Sequence, residues 1–101
     1  MGSYNKLVRD KIPEILDKKQ VAYEKRIASP EEFKQELIKK LGEEVAEFAE
    51  AGTVEELADV IEVVEALKKL PDYANVENIR IQKREERGAF DERIILKGER
   101  K

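Results

Sequence analysis

Five carboxylates stand in a pattern that could do metal chemistry. Glu43, Glu44 and Glu47 come first, and Glu56 and Asp59 follow after a short gap. Most acidic residues in a helical protein are solvated, so the informative ones intrude on an apolar stripe. At about 100° per residue, with Phe33 as zero, Leu37, Leu41, Val45 and Phe48 fall between about 40° and 120°. Glu44 falls at about 20°, inside that stripe, Glu47 at about −40°, on its edge, and Glu43 at about −80°, outside it. On the following segment, with Leu57 as zero, Glu56 falls inside the stripe at about 260° and Asp59 on its edge at about 200°. Glu62 and Glu65 fall outside it. Carboxylates brought together at a half-buried spot repel one another and are costly to desolvate. A hard divalent cation removes both costs.

Composition narrows the chemistry further. The chain has no Cys and no His. Disulfides, zinc sites, thiol nucleophiles and imidazole acid–base catalysis are thereby excluded. Any metal must be held by oxygen, which favours Mg²⁺, Mn²⁺ or Ca²⁺. Net charge is −3 and charged residues make up 43% of the 101 residues, so the overall balance is not that of a nucleic-acid binder. The longest apolar runs, Val21-Ala22-Tyr23 and Ile94-Ile95-Leu96, are far too short for a membrane span or a signal peptide. A cytoplasmic location and a single domain over residues 1–101 are the expectations, with Met1-Gly2-Ser3 read as an expression remnant.

The elements that must position these residues are legible from their caps. Pro13 sits in the first turn of a short helix within residues 4–20. Ser29-Pro30-Glu31-Glu32 is a capping box that starts a long helix, which Gly52 ends. Thr53-Val54-Glu55-Glu56 is a second capping box, a motif that by itself accounts for a Glu at position 56. The helix it opens is expected to run to about Leu70, where Pro71 stops it. So short a linker implies an antiparallel hairpin, folded to bring Glu47 near Glu56, and Glu43 and Glu44 near Asp59. A fourth helix is expected over residues 75–87, ended by Gly88. Val21, Tyr23 and Ile27 alternate, and Ile94-Ile95-Leu96 is β-like, which suggests a small two-stranded element. The fold class is all-α, a hairpin that makes a four-helix bundle on dimerisation, with short flanking helices.

Two basic groups could bind an anionic ligand. Arg80, Lys83, Arg84 and Arg87 recur at one-face helical spacing, and Lys6, Arg9 and Lys11 cluster near the start. Asn5 has the chemistry to bond a base or ribose. A solvated charged face is the competing account of the basic helix. Tyr73 and Phe90 read as core residues rather than stacking platforms.

Glu43-Glu44-Val45-Ala46-Glu47 followed by Glu56-Leu57-Ala58-Asp59 resembles the EExxE…ExxD signature of the MazG-like all-α nucleoside triphosphate pyrophosphohydrolases. Residues 4–13 (YNKLVRDKIP) and 85–90 (EERGAF) resemble one small branch of that superfamily, which also includes phosphoribosyl-ATP pyrophosphohydrolase. Residues 48–55, between the two halves of the signature, are fewer than the family usually has. The resemblance implies Mg²⁺-dependent hydrolysis of a nucleoside triphosphate to a monophosphate and pyrophosphate, with Mn²⁺ as a substitute and house-cleaning of non-standard nucleotides as a role. It implies Glu44, Glu47, Glu56 and Asp59 as metal ligands. Glu44 then also serves catalysis, with Glu43 orienting water. Asn5, Lys6, Arg9, Lys83, Arg84 and Arg87 would bind substrate. Dimers or pairs of dimers, with sites near subunit contacts, are implied as well.

Three further points complete the expectations. Apolar residues spread too widely on the third helix for one partner helix to cover, and Gly42 interrupts the long helix, so a homo-oligomer, at least a dimer, is expected. No nucleic-acid or membrane partner is expected. The alternatives are a catalytically silent helical dimerisation or nucleotide-sensing module, and phosphoribosyl-ATP hydrolysis.

Overall fold

The computed structural model describes residues 5–99. The reading of residues 1–3 as an expression remnant lies outside that range. The described chain is all-helical: α1 (Ile12–Lys18), α2 (Pro30–Ala51), α3 (Val54–Lys68), a 3₁₀ turn (Pro71–Tyr73) and α4 (Val76–Arg87).

Both expected N-caps form. The Ser29 hydroxyl accepts from the Glu32 N–H, and the Thr53 hydroxyl from the Glu56 N–H, each at 3.2 Å. The Glu32 carboxylate is gripped by both terminal nitrogens of Arg26, at 2.7 Å each. Gly52 adopts the left-handed conformation (φ 66°), and its N–H closes α2 on the Phe48 carbonyl at 2.7 Å. Only Gly52 and Thr53 separate α2 from α3, so the helices fold back on each other and pack as an antiparallel hairpin. Among the described residues two side chains are buried, Leu37 at 4% exposure and Val63 at 8%. They belong to two seams of coiled-coil-like spacing. Counted outward from the turn, the half-buried and buried seam positions include Phe48, Glu44, Leu41, Leu37 and Phe33 on α2 and Glu56, Val60, Val63 and Leu67 on α3.

At the open end of the hairpin, Lys34 forms an ion pair with Asp72 and lies 5.7 Å from the Tyr73 ring centre, which ties the 3₁₀ turn to the start of α2. Lys68 reaches Glu77 at 3.4 Å and so anchors the start of α4. α4 packs along neither hairpin helix. The radius of gyration is accordingly 18.2 Å, against about 13 Å for a compact domain of this length.

Three expectations are corrected. No strand occurs among the described residues, so the proposed β element over residues 21–27 and 94–96 is not formed in the single chain. A strand needs a laddered partner, and Ile94, Ile95 and Leu96 stand exposed. α3 stops at Lys68, before Leu70, because the residue before Pro71 is held extended (ψ 142°). Phe90 is not core within the single chain; it is exposed, whereas Tyr73 is half-buried.

Candidate metal centre

Glu56 is the half-buried position of α3 nearest the turn, and Glu44 lies one helical turn in from Phe48 on α2; both hold seam positions where an apolar side chain would ordinarily sit. Asp59 follows Glu56 by about one helical turn and projects beside it. One carboxylate oxygen from each of Glu44, Glu56 and Asp59 lies within 4.8 Å of the others. The Glu44 side chain is only 12% exposed. Oε2 of Glu44 and Oε2 of Glu56 are both buried without a hydrogen-bond partner. A buried carboxylate oxygen left unpaired is costly. The Glu56 N–H is capped by Thr53, while its side chain carries a buried oxygen that the cap does not use.

The electrostatics express the same crowding. Burial pushes the Glu44 carboxyl above its usual range, and the charge and hydrogen bond of Glu47 push it further. Lys40, 3.8 Å away across one helical turn, opposes this, and Asp59 adds to it. Asp59 is itself held by Arg9, whose Nη2 donates to Oδ1 at 2.7 Å. Arg9 and Lys40 each supply a counter-charge to the group. Neither was assigned to it from sequence, although the Lys40–Glu44 spacing of four residues is a readable signal.

Of the four residues expected as ligands, three converge. Glu47 lies beside Glu44 but outside the converging set. Glu43 is exposed and lines a small cleft with Lys6, Lys39 and Lys40. Asn5, Lys6 and Arg9 line an open groove of about 1250 Å³ formed by the N-terminal segment, the loop before α2 and residues 70–72. Arg9 therefore touches both this groove and the carboxylate group. Lys83, Arg84 and Arg87 lie outside the groove and are exposed on α4. Glu62 is exposed, and Glu65 pairs with Lys68 at 3.2 Å.

The donor set fits a hard divalent cation. It consists of carboxylate oxygens at cation-bridging separations, and two of its oxygens are orphaned and buried. No helix among the described residues is long and apolar enough to cross a membrane. Comparison of the chain with protein-family models, with curated proteins and with solved structures finds no match.

Proposed function

We propose that this protein hydrolyses a nucleoside triphosphate to the monophosphate and pyrophosphate with Mg²⁺ held by Glu44, Glu56 and Asp59 and with Glu47 adjoining. The observation that carries the reading is the pair of orphaned buried oxygens on Glu44 and Glu56. A structural role alone would leave that desolvation cost unanswered. When bound, the cation supplies charge neutralisation at the phosphates and acidifies water.

The chain's own residues supply the rest. Arg9 stands between the groove and the carboxylates, where a cationic fork suits a phosphate. Asn5 and Lys6 line the same groove, and its volume is ample for a nucleotide. With no His in the chain, the proton acceptor is a carboxylate, and Glu43 and Glu47 are the exposed ones flanking Glu44. The protein works as a homo-oligomer, at least a dimer, in the cytoplasm. So few buried side chains and so much exposed apolar surface support that assembly.

A nucleotide panel assayed for pyrophosphate release, with and without chelator, tests the proposal. Chelator-sensitive turnover of at least one nucleoside triphosphate is the expected result. No turnover by folded, Mg²⁺-loaded protein would replace the enzyme with a nucleotide-sensing or dimerisation module. Turnover confined to phosphoribosyl-ATP would identify the biosynthetic activity instead.

A further inference from the structure

Arg9 belongs to two surroundings at once. Its Nη2 donates to Asp59 Oδ1 at 2.7 Å, and the same residue lines the groove with Asn5 and Lys6. Asp59 is one of the three converging carboxylates. The contact therefore commits an oxygen of that group to a cation of the chain's own.

The two counter-charges of the group are held differently. Lys40 sits on α2, one turn before Glu44, with its side chain 24% exposed, so the helix itself keeps it there. Arg9 lies in the irregular segment before α1, and the Arg9 and Asp59 side chains are 58% and 41% exposed. A pair this open to water is weak and is screened by salt, so its partners exchange readily. Arg9 also leaves the inner oxygens unanswered, since Glu44 Oε2 and Glu56 Oε2 stay buried without partners. A divalent cation shared by all three residues satisfies oxygens that a guanidinium on Asp59 does not reach.

We propose that Arg9 is an anion ligand released by metal. In the metal-free protein it rests on Asp59. When Glu44, Glu56 and Asp59 take up a divalent cation, Arg9 leaves Asp59 and turns to a phosphate in the groove it already lines. Metal and anion are then positively coupled through one side chain. Metal uptake frees Arg9 for the anion, and an anion that holds Arg9 clears Asp59 for the metal. Linkage makes the effect equal in both directions. Without metal the groove grips phosphate less well, so the nucleotide is held firmly only where the ion is already in place. This coupling rests on the metal site proposed above and adds to it the residue that joins metal to substrate.

Mg²⁺ is titrated by calorimetry into the parent, Arg9→Ala and Arg9→Gln, with and without inorganic phosphate. Ionic strength is held constant, and free Mg²⁺ is corrected for its phosphate complex. Lys19→Ala removes an exposed cation that does not line the groove and controls for net charge. In the parent, phosphate is expected to tighten Mg²⁺ binding about two- to fivefold, the range open to an exposed ion pair. Without phosphate, both Arg9 variants are expected to bind Mg²⁺ more tightly than the parent by a similar factor, and phosphate is expected to tighten them no further. Lys19→Ala is expected to match the parent throughout, and all variants are expected to keep the helical circular dichroism. Mg²⁺ binding that phosphate leaves unchanged in the parent would overturn the proposal. Parental Mg²⁺ affinity in both Arg9 variants, a phosphate effect that survives in them, or equal tightening in Lys19→Ala would overturn it too. Each of these leaves the metal site standing. No Mg²⁺ binding by any of the proteins, with no rise in melting temperature, would overturn the metal site and the coupling together.

Discussion

Arg9 and Asp59 lie 50 residues apart in the chain, yet the Arg9 guanidinium donates to Asp59 Oδ1 at 2.7 Å. That contact fastens the N-terminal segment to the carboxylate group and supplies a positive charge beside it. An exposed pair of this kind contributes about 0–1 kcal/mol to stability. Arg9→Ala should therefore lower the melting temperature of the metal-free protein only slightly. It should enlarge the stabilisation produced by Mg²⁺, because a competing cation has gone. Thermal melts across a Mg²⁺ titration check this, and an unchanged half-saturation point would show that Arg9 does not compete for Asp59.

Glu44 contributes to the pH dependence of the metal-free fold with a sign opposite to that of Glu32 and Glu77, whose carboxyls their cationic partners hold below the usual range. Burial raises the Glu44 pKa, with the charge and hydrogen bond of Glu47 adding to the shift. Because the folded value lies above the unfolded one, the stability linked to Glu44 is present at low pH. It is lost as pH rises from the ordinary carboxylate range through the raised value. Glu44→Gln should flatten that slope and melt higher than the parent at neutral pH in chelator. Melts from about pH 4 to about pH 8 cover the window. A parent-like slope in the variant would place the titration elsewhere.

Glu44→Gln and Asp59→Asn should each abolish measurable pyrophosphate release while keeping the helical circular dichroism. Loss of a residue that merely supports a metal ligand typically costs about 10–100-fold, and loss of a ligand should exceed that. Both variants should also show a smaller Mg²⁺-induced rise in melting temperature. Glu62→Gln, on an exposed face, is the control and should change neither. Near-parental activity in either ligand variant would remove that residue from the set.

Arg84→Ala and Arg87→Ala test whether the basic face of α4 meets substrate. A contact present in ground and transition states alike raises KM, and one that strengthens in the transition state also lowers kcat. Steady-state kinetics separate the two. Parental constants across variants of Arg80, Lys83, Arg84 and Arg87 would mark the face as solvated.

Ser29→Ala and Thr53→Ala remove the hydroxyls that cap α2 and α3. Each should cost about 1 kcal/mol in chemical denaturation. The Thr53 variant should also loosen the first turn of α3, which carries Glu56, and so weaken the Mg²⁺-induced stabilisation more than the Ser29 variant does. Equal effects on Mg²⁺ response would separate the cap from the site.

Local signals determined the helices. Ser29-Pro30 and Thr53 cap two of them, Gly52 turns the chain, and Gly88 ends α4. These are interactions within a few residues, so residue order alone carries them. The placement of Glu44 in the apolar stripe was legible for the same reason, since helical periodicity fixes which side chains share a face.

Tertiary structure decided what the faces meet. Only the folded hairpin shows that Oε2 of Glu44 and Oε2 of Glu56 are both buried without partners, that Glu47 stays outside the converging set, and that Arg9 reaches Asp59. The alternation at residues 21–27 and the run at 94–96 looked like strands, because a β pattern records an apolar surface but not the partner it pairs with. For Phe90 and Ile94–Leu96, one chain supplies no cover. Local periodicity marks these side chains as apolar but does not say whether anything covers them.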